Sequence, residues 1–258
     1  MLKRLLPLVI ITSLTSGVAI GQMPDKKMDP MSAKIKVAMK SDKRTEKETQ
    51  RDRNRMPVHT LKFLGVKEDM RVLELIPGGG WYTRLLGAAL QEKGQLYVGV
   101  HTDRLKDILA NDPALSNVKV VAKDAKLKYN ETEEGYDFSN PAYGVDNLDA
   151  VLTFRNYHNL TFKGRMAMNK AAFDALKSGG IYGVVDHTRR HMQSNNDENG
   201  RRIDPVLAIK EIQDSGFEFI DYSDMHYRAD DELRYEVGRK SVTGNTDRFT
   251  FLFKKPNQ

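Results

Sequence analysis

"VLELIPGGGWYTRLL", Val72–Leu86, is the stretch on which the reading of this chain turns. Its first half continues from "MRVLELI", a run of apolar residues broken only by Arg71 and Glu74, which reads as a buried strand. Gly78, Gly79 and Gly80 then form a turn of the kind that needs positive φ or close approach of the backbone. From Trp81 the period changes. Residues 81, 82, 85, 86, 89 and 90 fall on one stripe of a helix, and Gly94 is placed to cap it.

The same alternation runs outward from this unit. "PVHTLKFLGV" precedes it as a helix with Val58, Leu61 and Leu64 on one face. "QLYVGV", "VKVVA", "LDAVLTF" and "IYGVVD" follow as further apolar strands. Between them lie the helices "RLKDILA", with Thr102 or Asp103 as cap, and "GRMAMNKAAFDALKSGG", which closes on Gly179 and Gly180. The polar stretch holding Gly135, Pro141 and Gly144 reads as a loop or small insertion. Asp204-Pro205 opens another helix, "VLAIKEIQDSG", and "FEFIDY" and "RFTFLFKK" are the last strands. Strands alternating with helices indicate an α/β, mostly parallel sheet covered on both faces. Ligands in such sheets bind beyond the carboxyl ends of the strands. The positions to inspect are therefore Pro77–Tyr82, His101–Asp103, Asp124, Arg155–Leu160 and Asp186–Arg190.

The chain opens with "MLKRLLPLVIITSLTSGVAIGQ": two cations, an apolar core, then small residues at the places a signal peptidase reads. Residues 1–21 are read as a cleaved export signal. Thr12, Ser13, Thr15 and Ser16 interrupt the run, and a retained span needs roughly 20 mostly apolar residues, so no stable membrane span is expected after cleavage. The absence of cysteine excludes disulfides, thiolate zinc sites and a Cys nucleophile. The sequon at Asn159 lies beside the loop after the fourth strand, which favours a bacterial export route and a periplasmic location. The net charge of +6 is unevenly spread. Residues 22–56 hold 11 Lys/Arg against 6 Asp/Glu, and with Lys3 and Arg4 in the leader, Pro57–Gln258 is left at −1. A nearly neutral domain gives no argument for nucleic acid as partner. The arm, with opposite charges interspersed, reads as a solvated basic helix.

A glycine triplet alone fits several chemistries. A dinucleotide fingerprint wants a third glycine where Thr83 stands, and a phosphate loop wants Gly-Lys-Ser/Thr, which is absent. What remains is a strand carboxylate four residues before the first glycine, Glu74 to Gly78. With the strand order above, this resembles the Rossmann-like S-adenosylmethionine-dependent methyltransferases. "DRNRMPVHTLKFLGV", "VLELIPGGGWYTRLL", "DAVLTFRNYHNL", "VVDHTRR" and "RFTFLFKKP" are more closely similar to a family of exported methyltransferase-like proteins. The resemblance implies a doubly wound seven-stranded sheet with a C-terminal antiparallel strand. It divides the chain into a signal at 1–21, a basic helical arm at 22–56 and a methyltransferase-like domain at 57–258.

Carried over by residue, Glu74, Gly78, Gly79 and Gly80 correspond to the motif lining the methionine part of S-adenosylmethionine. Asp124 corresponds to the group that meets the adenine. The family places Asp or Glu at the tip of the second strand for the ribose diol; here His101 and Asp103 stand there instead. In the loop facing the methyl group, Arg155-Asn156-Tyr157-His158, His158 is the candidate base. Tyr157 is a second catalytic candidate that would shape the acceptor pocket, and Arg155 and Asn156 would bind the substrate. Asp186 and His187 are candidate substrate contacts from the fifth strand. His187 and His191 are spaced for a metal on a helix, but Arg189 and Arg190 oppose a cation, and no metal is assigned. The loop of amine-methylating enzymes is missing, which leaves a small molecule or envelope component as acceptor. A ligand-binding protein of the same fold, without turnover, is the alternative.

Overall fold

The computed structural model describes residues 28–257, so the segment read as an export signal, residues 22–27 and Gln258 lie outside the described residues. Seven strands form the main sheet: β1 (Arg71–Leu75), β2 (Gln95–Gly99), β3 (Lys119–Val121), β6 (Leu148–Phe154), β7 (Leu176–His187), β8 (Glu218–Ser223) and β9 (Arg248–Lys254). Their order is β3-β2-β1-β6-β7-β9-β8. The pairs β1–β2, β2–β3, β1–β6 and β6–β7 are parallel, and β9 runs antiparallel between β7 and β8. The chain starts mid-sheet, builds outward to β3, then returns to lay β6 on the other side of β1. That reversal opens a crevice at the carboxyl ends of β1 and β6.

Alternate strand residues face opposite layers. Leu73, Leu75, Val151 and Val184 pack with helices α7 (Phe162–Ala175) and α8 (Pro205–Asp214), together with Phe249, Phe251 and Phe253. Val72, Leu96, Val98, Ala150 and Leu152 pack with α5 (Trp81–Leu90). The stripe read from the sequence is the buried face of α5. Asp204 caps α8 through its side chain, which accepts from the Val206 N–H.

Three expectations are corrected and one, the small insertion, is given its form. The helix α7 ends at Ala175, and Leu176–Gly180 already belong to β7, because the Gly179 N–H donates to Lys255 O and Gly180 O accepts from the Lys255 N–H, so both face the C-terminal tail rather than a helical turn. The polar stretch contains a hairpin of β4 (Lys126–Asn130) and β5 (Gly135–Ser139). α6 (Lys106–Asn111) begins after a tight turn at Asp103–Leu105 and has no side-chain cap. The arm is only partly solvated. Its helices α1 (Pro30–Ala38), α2 (Glu46–Thr49) and α3 (Asp52–Arg55) are followed by α4 (Pro57–Phe63). Met31, Ile35 and Ala38 join Leu61, Leu64 and the α5 stripe in one core, an apolar face that charge patterning hid.

Candidate active site

The crevice between β1 and β6 is bounded below by Glu74. It shares a sheet face with Val72 and sits in register between Val98 and Leu152, only 2% exposed. The Thr83 hydroxyl on α5 donates to its carboxyl at 2.6 Å, and burial pushes its pKa up to about 8. Above it the glycines divide their tasks. Gly80, at φ +80°, starts α5, and a Cβ there would meet Ile108 Cδ1 at 2.3 Å. Gly78, at φ +58°, and Gly79 face open space, with nothing within 4 Å of an added Cβ. Asn156 ties the two strand ends together: its Nδ2 donates to Ile76 O at 2.9 Å and to Phe154 O at 3.0 Å. The resulting cleft, about 260 Å³, is lined by Glu74, Gly78, Gly79, Trp81, Arg155 and Asn156, and closed from the arm by Arg51 and Arg55.

His101 and Asp103 do not converge on this cleft. They line a neighbouring hollow of about 500 Å³ at the tips of β2 and β3. His101 is exposed, at φ +55°, and Asp103 pairs with Lys106 at 3.1 Å with its side chain 77% exposed. Asp124 is exposed on the turn between Lys123 and Ala125, which line the same hollow. The strand ends here in left-handed residues, Val100 and His101, so it offers no enclosed carboxylate at its tip.

His158 and Asp186 form a close pair. His158 Nδ1 lies 2.5 Å from Asp186 Oδ1, and the His158 N–H donates to Oδ2 at 3.0 Å. With Nδ1–H donating to the carboxylate, Nε2 is the nitrogen left to accept a proton. Asp186 is fully buried and also accepts from the His187 N–H, so it orients His158 from an enclosed position rather than standing open to a ligand, contrary to expectation. Tyr157 is likewise corrected. It is wholly buried beneath the sheet, donating to Glu211 Oε2 at 3.0 Å and accepting from Asn169 Nδ2 at 2.9 Å. Burial and the Glu211 charge hold its phenol well above the ordinary range, which suits a structural network and not proton transfer.

His187 faces a second cleft, about 390 Å³, which joins the first along Arg51, Arg55 and Arg155. Its Nδ1 lies 2.9 Å from Thr246 Oγ1, and burial, then the His158 ring, hold it well below the ordinary histidine range. His191 pairs instead with Asp204, so the two imidazoles do not share a helical face. Among the described residues no group of three or more His, Asp or Glu is placed to hold a metal ion. Sequence reading missed Arg55, Arg248 and Thr246, because they come together only through the tertiary fold.

No family model and no curated protein matches this chain. Solved structures do. A SAM-dependent methyltransferase from Aquifex aeolicus aligns over 89% of this chain and 100% of its own, at 19% identity and a TM-score of 0.55. The fold is that of the Rossmann-like methyltransferases. The [4+2]-cyclase SpnF is similar over 89% of this chain and 94% of its own, at 14% identity and a TM-score of 0.54. The glycopeptide N-methyltransferase MtfA, solved with sinefungin, aligns over 79% of this chain and 87% of its own, at 14% identity and a TM-score of 0.53. In open α/β sheets ligands bind where the strand order reverses, and in this chain that place is the cleft at β1 and β6.

Proposed function

We propose that the protein is an S-adenosylmethionine-dependent methyltransferase, exported to the bacterial periplasm, whose acceptor is a small molecule or an envelope component. The observation that carries this reading is the glycine loop at the switch point: open space over Gly78 and Gly79, with buried Glu74 beneath. These groups suit the methionine half of the cofactor, since backbone can approach a ligand closely there. The hollow beside Val100 and Asp103 would take the nucleoside half. When bound, S-adenosylmethionine supplies a sulfonium-activated methyl group for in-line displacement.

The chain's own part is alignment, exclusion of water and removal of the acceptor's proton. His158 is the base in this reading, with Nε2 available and Nδ1 held by Asp186. Arg155 and Asn156 fix the floor between the two clefts. Trp81 and Tyr82 wall the cofactor cleft on the α5 side.

The second reading, a ligand-binding protein of this fold without turnover, is favoured by the exposed His101 and Asp103 at the β2 tip. A fold shared with a [4+2]-cyclase does not fix the reaction. Calorimetry with S-adenosylmethionine, S-adenosylhomocysteine and NAD tests the cofactor. Binding of the first two and not NAD is expected, and NAD binding alone would overturn the reading. Labelled methyl transfer to a panel of small acceptors separates enzyme from binding protein.

A further inference from the structure

Seven of the fifteen residues lining the second cleft are Lys or Arg, and none is Asp or Glu. Arg155 enters from the end of β6, Arg248 from the start of β9, and Arg55 from α3, with Arg51 and Arg201 at the rim. Among the described residues, the Arg55 and Arg155 guanidinium groups have no hydrogen-bonding or ion-pair partner. Arg55 stacks on Trp81, 4.5 Å from its ring centre. Arg248 donates to Asn54 O at 2.9 Å, but its Nε is buried without a partner. The carboxylate whose field reaches Arg155 and Arg248 is Asp186, and that group is committed to His158 and the His187 N–H. A buried guanidinium without a counter-charge is costly, and several together repel one another. Burial and then Arg155 lower the pKa of Arg55 to about 9 and that of Arg248 to about 10.

We propose that this cleft is an oxyanion subsite that holds a phosphate or polycarboxylate group of the methyl acceptor beside the glycine-loop cleft. The proposal rests on the methyltransferase reading for the word acceptor; the oxyanion site itself rests on the arginines. Three convergent forks match the geometry of phosphate and carboxylate oxygens. The neutral His187 and the Thr246 hydroxyl add uncharged hydrogen-bonding groups on the same wall. An acceptor anchored there would present its other end towards Arg155, the wall shared with the cofactor cleft.

Titration calorimetry of the full chain with pyrophosphate and with citrate, in chloride buffer, tests this. One of the two should bind, and Arg155→Gln and Arg248→Gln should each weaken it about tenfold or more. Arg190→Gln is the control, because that guanidinium donates to Glu232 O away from the cleft, and it should change affinity less than about twofold. Tighter pyrophosphate assigns a phosphate, and tighter citrate a polycarboxylate. No binding of either anion, or equal affinity in wild type and both cleft variants, would overturn the site. Should Arg248→Gln fail to fold, Arg155→Gln and Arg51→Gln carry the comparison, read also as loss of the anion-induced rise in Tm. S-adenosylhomocysteine is then titrated onto the anion-saturated chain. Simultaneous binding supports two adjoining sites. Mutual exclusion overturns the proposal, since the arginines would then hold the cofactor's own carboxylate. Anion binding with no S-adenosylhomocysteine binding would sink the methyltransferase reading and leave the oxyanion site standing.

Discussion

Glu74 carries the clearest consequence for solution behaviour. Its carboxyl ionises near 4.5 when unfolded and near 8 in the folded chain, because burial disfavours the charge. Between those values the folded state holds one more proton than the unfolded state. Stability from this group is complete below about pH 4.5, falls as pH rises, and is exhausted above about pH 8. Glu74→Gln keeps shape and removes the proton, so the gap in unfolding free energy, variant over wild type, should widen in favour of the variant from pH 5 to pH 9. Urea denaturation across that range is the measurement, and a pH-independent gap would refute the assignment. His158 stands at the same scale. If its Nε2 takes the acceptor's proton, His158→Ala should lower turnover by about two to four orders of magnitude with cofactor affinity little changed. Full turnover in that variant would remove it from the mechanism.

At the scale of elements, the strand–turn–helix from Arg71 to Leu90 makes a prediction that the three glycines separate. Gly79 has ordinary φ and open space, so Gly79→Val should fill the cleft and abolish cofactor binding with Tm nearly unchanged. Gly78→Val fills the same space but adds left-handed strain, costing about 1 kcal/mol or more of stability. Cofactor binding that survives Gly79→Val would locate the site elsewhere. The cap read at Gly94 falls three residues past the C-cap, Gln91. The rest of this unit was legible in the sequence because its information is local: period and turn residues lie within twenty positions. The same holds for the Asp204-Pro205 helix start. Tyr157 was misread because the turn at Tyr157–Asn159 points alternate side chains to opposite layers, and only the fold shows that His158 meets Asp186 while Tyr157 meets Glu211. The arginine cleft was not legible for the same reason. Residues 55, 155 and 248 share no pattern along the chain and meet only after β6 and β9 are placed.

Across the whole molecule, the basic arm and the nearly neutral domain are one body. Ile35 is fully buried against that domain, and Ile35→Ala should cost about 2–5 kcal/mol in chemical denaturation. A solvated arm would lose nothing. The excess positive charge read from the arm thus has a place: Arg51 and Arg55 supply it to the wall between the two clefts.

The attachment of that wall also sets an order of events during folding. Arg55 O accepts from Thr60 Oγ1 at 2.9 Å and from the His226 ring at 3.2 Å, while Arg248 binds Asn54 O and Asn54 reaches Gly244 O. Residues synthesised early are therefore fastened to partners some 170 to 190 positions later. Contacts of such long separation form late, after the parallel strands have collapsed around local pairs. Sheet and helices should be in place while both clefts still gape, and a protease present at that moment would find the arm an open target. Refolding followed by far-ultraviolet circular dichroism should run ahead of the recovery of protease resistance around Asn54 and Arg55, the residues fastened to Gly244 and His226. Ligand capture should keep time with the slower probe.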